Sequence, residues 1–215
     1  MNENLISGQY DVNKKSKIKK FYDDNKIYIY SILFAILIII FTLSLYSYLQ
    51  NKKKISIAQN YINATIFVKN GNKSEALSVL KKIIYANDST YSTLSLFLIV
   101  NENLEKNNLE AIELFNHVIE NSKFDDESRN LLVLKKAFYE TNLNDEQKIL
   151  NTIKPLLSKD SVWKANALML VGNYFVSKGE DIKAKEFFLQ ILNINNLSNE
   201  IIDQANNQLK LIQND

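Results

Sequence analysis

Apolar residues are distributed along this chain in two ways. From Ile27 to Leu49 they run almost unbroken, IYIYSILFAILIIIFTLSLYSYL, with no charge, proline or glycine. Farther on they recur every three or four positions with polar residues between, the spacing of helices that turn one face to a core. This second pattern predicts helices over about 52–70, 73–86, 90–105, 108–121, 126–142, 145–158, 162–178 and 181–193. A final amphipathic stretch, SNEIIDQANNQLKLI, reads as one more helix, with Ser198 or Asn199 able to cap it. Pro155 is expected to kink or end the helix that contains it, because it cannot donate to the preceding turn. Nothing breaks the chain between Leu49 and residue 52, so the first of these helices can continue directly from the apolar run.

As a helix, the run from Ile27 to Leu49 is about 34 Å long, enough for a hydrocarbon core of about 30 Å. Tyr28 and Tyr30 stand at one end and Tyr46 and Tyr48 at the other, where amphipathic rings favour the headgroup level. A cleaved signal peptide would have an apolar region of about 7–15 residues closed by a small-x-small site. Here the small-x-small step, Thr42-Leu43-Ser44, lies inside the run. An uncleaved anchor is therefore expected. Six lysines precede it, at 14, 15, 17, 19, 20 and 26, and Lys52, Lys53 and Lys54 follow it. That bias places the N-terminus in the cytoplasm and the rest of the chain outside.

The helices beyond the anchor repeat. Gly179 is followed by Ala184 five residues later and Phe188 four after that, and preceded by Phe175 and Gly172 at four and seven. Gly71 has Ala76 and Leu80 after it, Phe67 and Ala64 before it. Asn144 has Ile149 and Ile153 after it and Ala137 before it, and Lys106-Asn107 fills the same turn for Ala111 and Phe115. Ala76, Ala111, Ile149 and Ala184 thus recur at a spacing close to the 34-residue period of helix-turn-helix repeats of tetratricopeptide type. Small residues fit where helices A and B of one repeat cross, and Gly71 and Gly179 suit a left-handed turn at the end of helix A. A phosphate-binding loop would need a different spacing and a preceding strand. The expected fold is all-α: residues 1–26 a Lys-rich cytosolic segment, 27–49 the transmembrane helix, and 50–215 a tetratricopeptide-like solenoid. About four helix pairs and a capping helix make up the solenoid.

Composition narrows the function more than it names it. The 215 residues hold no cysteine, four glycines, one proline, 29 asparagines and a single arginine, Arg129. Disulfides, thiolate metal sites and cysteine nucleophiles are excluded. The excess of Asn, Lys and Ile reads as the base composition of an AT-rich genome and is given no functional weight. Residues 51–215 carry twenty basic and twenty acidic side chains, without the basic field a nucleic-acid binder would need.

Catalytic groups are sparse. His117 is the one histidine, and on a predicted helix it reads as a packing or solvated residue. Asp125-Asp126-Glu127 reads as a helix start in which acids complement the dipole. Neither G-x-S-x-G nor H-E-x-x-H occurs. No enzyme activity, cofactor, metal or small-molecule substrate is expected.

A short cytosolic start, one anchor and a tetratricopeptide-like domain, closed by SVWKANALMLVGNYFVSKGEDIKAKEFFLQIL with Trp163, Ala167 and Gly172, resemble the YfgM-type ancillary subunits of the Sec translocon. TIKPLLSKDSVW, with Pro155 before that Trp, adds to the likeness, which covers roughly residues 14–213. Lys106 and Asn144 depart from it where glycine is common. The resemblance implies a bacterial inner-membrane protein with a periplasmic domain. Its partners would be translocon subunits, a periplasmic chaperone and exported clients. A tetratricopeptide scaffold for another envelope assembly, such as cytochrome c maturation, is the alternative, and an enzyme accessory or hydrolase with an unrecognised site is a third.

In a stack of such repeats the A helices line the concave face. The turn positions assign to it Tyr61, Thr65 and Lys69, then Leu96, Val100 and Asn103, then Leu134, Phe138 and Thr141, and finally Asn166, Met169, Asn173 and Ser177. This apolar and amide set suits extended or partly unfolded peptide. The other reading is that some of them, Leu134 and Phe138 above all, are covered by a neighbouring helix.

Overall fold

Helix start signals appear in the sequence at regular intervals, and a computed structural model, which describes residues 12–158 and 161–214, shows what they begin. The helices are α1 (Val12–Lys69), α2 (Lys73–Tyr85), α3 (Ser89–Asn101), α4 (Asn108–Asn121), α5 (Asp126–Thr141), α6 (Glu146–Ser158), α7 (Lys164–Ser177), α8 (Asp181–Leu192) and α9 (Asn199–Asn214). No strand occurs among the described residues. Asp88 accepts from the Thr90 and Tyr91 N–H groups, Asn107 from Leu109, Asp125 from Ser128 and Asp145 from Lys148. Each satisfies N–H groups that the first turn of a helix leaves without a partner.

The chain divides between Ile55 and Ser56 into two units. In the first, α1 carries the one segment among the described residues that is long and apolar enough to cross a membrane. Phe34, Ile38, Phe41 and Leu45 are all exposed there.

In the second unit the helices pair as A and B: α3 with α4, α5 with α6 and α7 with α8, while Ile57 and Ala64 at the end of α1 are buried in one cluster with Ala76 and Leu80 of α2. Helix α9 packs against α8 and α7 at the end of the stack. Ala205 and Leu209 on α9 are buried with Ile191 and Phe188 on α8, so this last helix covers apolar surface that a further repeat would otherwise hide. The crossings fall where the small residues predict. Ala64, Ala76, Ala137 and Ala184 have no exposed surface, and Ala111 is nearly as buried. At Gly172 a Cβ would stand 2.4 Å from Cε1 of Phe188 on the B helix of the same pair. That glycine is a matter of space.

Gly71 and Gly179 are a matter of backbone. Their φ angles are +80° and +70°, and an added Cβ would meet nothing. Four asparagines share this left-handed conformation: Asn87, Asn103, Asn144 and Asn196, with φ of 58°, 49°, 57° and 60°. Asparagine enters that region more readily than other residues with a side chain. Part of the asparagine excess therefore has a structural use that base composition did not suggest.

One expectation is corrected and another is narrowed. Helix α3 ends at Asn101, several residues before position 105, and its left-handed residue is Asn103 rather than Lys106. The Leu104 N–H closes this turn on Ile99 O at 2.9 Å, so the chain stops early and crosses to α4 as extended loop. Pro155 does not end α6, which runs on to Ser158. Asn151, whose carbonyl the proline cannot reach as a donor, and Pro155 itself lie on the exposed side of α6, while Ile153 and Leu156 face the core. Water can take the place of the missing N–H there.

Candidate interaction surface

The A helices α3, α5 and α7 line an open cavity of about 600 Å³. Its walls are Val100 and Asn103 at the end of α3, Leu134 and Phe138 on α5, and Asn166, Met169 and Asn173 on α7. Those seven come from the set expected on this face. Phe138, 58% exposed, stands uncovered in the opening, and Leu134 is half-buried. A neighbouring helix therefore does not close this part of the face. Asn103 reaches the cavity from the left-handed turn rather than from the helix.

A second cavity of about 520 Å³ continues along α5 and α7, lined among others by Phe138, Thr141, Asn173 and Ser177. The Thr141 and Ser177 hydroxyls donate back to Phe138 O (2.7 Å) and Tyr174 O (2.6 Å), so they present their oxygens as acceptors. Lys178 donates to Asn144 Oδ1 at 2.5 Å and lies 5.6 Å from the Tyr174 ring centre.

The remaining candidates lie elsewhere. Leu96 is 1% exposed and belongs to the core with Ile99 and Phe115, because α3 buries the face that carries Ser92, Ser95, Leu96 and Ile99. Tyr61, half-buried, packs its ring 5.7 Å from that of Tyr91. The Thr65 hydroxyl donates to Ile62 O at 2.7 Å, and Lys69 is exposed at the end of α1. None of these four lines either cavity.

Sequence spacing missed other walls. Lys135, Tyr139 and Leu170 each stand one position after an expected residue, since the opening between two helices is wider than one stripe of side chains. Asn108 and Asn142 enter from a helix start and a turn. Lys135 is the one charged group in the larger cavity and Lys178 in the smaller. The surface is apolar and amide-rich, able to donate to and accept from a peptide main chain while seating apolar side chains.

Other polar groups serve the scaffold. His117 Nε2 is 2.7 Å from Asn87 Oδ1, with its ring edge-on to Tyr85 at 4.6 Å, which joins α4 to the turn after α2. The Asp125 carboxyl, held below its ordinary value by the Ser128 hydroxyl and then by the Ser128 N–H, caps α5. Trp163 donates its indole N–H to Glu127 O at 3.1 Å, and the Ser161 hydroxyl donates to the Glu127 carboxylate at 2.9 Å. The tryptophan thereby ties the start of α7 to the start of α5. Among the described residues no three His, Cys, Asp or Glu side chains gather as metal ligands would.

The family model of a tetratricopeptide repeat-like domain matches residues 19–211. The chain belongs to this family. No curated protein and no solved structure matches it. Membership accounts for the paired helices and the small residues at their crossings. A domain of this kind suggests a protein-interaction scaffold.

Proposed function

We propose that this protein is a membrane-anchored scaffold whose A-helix cavity holds extended or partly unfolded stretches of other proteins. The observation that carries this reading is the cavity lining: asparagine amides alternate with Val100, Leu134, Phe138 and Met169, and Lys135 is the single charge. Main-chain hydrogen bonds would supply affinity without demanding one sequence, and the apolar walls would select segments that are not yet folded. Binding in the micromolar range follows, insensitive to moderate salt because few ion pairs form.

On the finer scale, the lysines before the apolar segment support a cytoplasmic N-terminus and an external domain. The likeness to YfgM-type subunits supports a place beside the Sec translocon of a bacterial inner membrane. There the domain would pass exported proteins toward a periplasmic chaperone. Photo-crosslinkers placed at Val100, Met169 and Asn173 should yield adducts with protein partners, and crosslinkers at Glu113 and Lys185 on B helices should not. Adducts confined to the B helices would remove the cavity from the mechanism. Mass spectrometry of the adducts and of co-purified proteins tests the finer reading, which fails if no translocon subunit or exported protein is among them.

A further inference from the structure

Each of the four A helices is followed by a left-handed residue: Gly71, Asn103, Asn144 and Gly179. Four positions before it stands the side chain that closes the last turn against the core: Phe67, Ile99, Glu140 and Phe175. Three of these are apolar. Glu140 has no exposed surface, and neither of its carboxylate oxygens has a hydrogen-bond partner. Lys136, one turn earlier, brings Nζ only to 3.6 Å from Oε1. A buried carboxyl group with its hydrogen bonds unmade weakens the structure around it, because water would have satisfied it.

The backbone departs at the same corner. After α1, α3 and α7 the N–H five positions on closes the turn: Asn72 donates to Phe67 O, Leu104 to Ile99 O and Glu180 to Phe175 O, each at 2.9 Å. After α5 it is Leu143, three positions on, that donates to Glu140 O. The buried core continues across this corner, Ala137 on α5 sharing a cluster with Ile149, Ile153 and Leu156 on α6, and divides instead within α5. One buried cluster extends from Ile57 to Leu132 and another from Ala137 to Leu209, with no residue in common. The larger cavity straddles that division, with Val100 and Asn108 on one side, Asn166 and Met169 on the other, and α5 between.

We propose that the α5–α6 corner is a hinge within the repeat stack, kept soft by Glu140, and that its movement widens and narrows the cavity. Local opening is cheapest where a buried polar group without partners gains most from water. A carboxylate in the place of an aromatic ring regains water when the corner opens, which favours the open form. The hinge does not depend on which partner occupies the cavity.

Hydrogen exchange on the full chain in detergent micelles tests it. Amides over residues 137–150 should exchange roughly tenfold faster or more than those over the matching corner, residues 172–185. Glu140→Phe, which gives this position the side chain of Phe67 and Phe175, should abolish the difference. Glu140→Gln, of nearly unchanged size and cheaper to bury, should reduce it. Spin labels at Lys82 and Glu186, both exposed, should show a distance distribution that narrows in the Phe variant. Equal exchange at the two corners of the unaltered protein overturns the proposal. So does a distribution that stays as broad in both variants. Loss of folding in both variants would make Glu140 a packing requirement and overturn it as well.

Discussion

Gly172 and Phe188 compete for the same space. With a Cβ at position 172 set to fall 2.4 Å from the ring, either the phenylalanine leaves its rotamer or the two helices separate. Gly172→Leu is therefore expected to lower stability by roughly 1–3 kcal/mol, and Ala184→Leu, at a crossing with no exposed surface, by a similar amount. Urea melts of the full chain in detergent measure both. An unchanged midpoint for Gly172→Leu would contradict this packing. His117→Ala, which removes one hydrogen bond on a half-buried side chain, should change little by comparison.

At the scale of elements, α2, α4 and the loop between α3 and α4 meet at Lys81. Its Nζ lies 2.6 Å from Glu105 and also pairs with Glu110. Burial alone would push the Glu105 carboxyl up. The hydrogen bonds from Lys81 and the Asn107 N–H, with the lysine charge, outweigh burial and hold the carboxyl below its ordinary value of about 4.5. A carboxyl lowered in this way stabilises the folded state above that value, and its contribution disappears as pH falls through the lowered one. Lys81→Met should cost about 1–3 kcal/mol at pH 7, because Glu105 keeps its burial and loses its charged donor. The deficit should shrink as pH falls below about 4.5. Melts at pH 7 and pH 3 check this, and an equal deficit at both would mean that the lysine acts through its stem.

The helices and their pairing were legible because small residues at 64, 76, 111, 137, 172 and 184 mark where two helices cross. The end of α3 was not, since an apolar sequence such as LSLFLIV carries no sign of where an asparagine will turn left-handed. Nine residues lining the two cavities were legible from turn registers. Leu96 was misplaced because one stripe of α3 serves both core and surface, and Asn108 and Asn142 were missed because turns have no helical period.

At the scale of the whole molecule, the proposed orientation rests on the lysine asymmetry across the apolar segment. A reporter enzyme active only outside the cytoplasm, fused after Asp215, is expected to be active. Activity only from a reporter that needs the cytoplasm would reverse the orientation, and with it the proposed meeting with exported proteins. Repeats stacked one on the next make each pair lean on its neighbours.

The four left-handed asparagines have a consequence in codons. Glycine is encoded by GGN and asparagine by AAY, so drift toward adenine removes the first and supplies the second. Chain reversals at positions 71 and 179, where no atom crowds an added Cβ, can follow that drift, since asparagine holds the same left-handed conformation at position 144. Position 172 cannot, because asparagine brings the same Cβ against Phe188. Among relatives from genomes of any base content, glycines at the turns should trade with asparagine, while glycine at the crossing should keep its GG codon or give way only together with its phenylalanine.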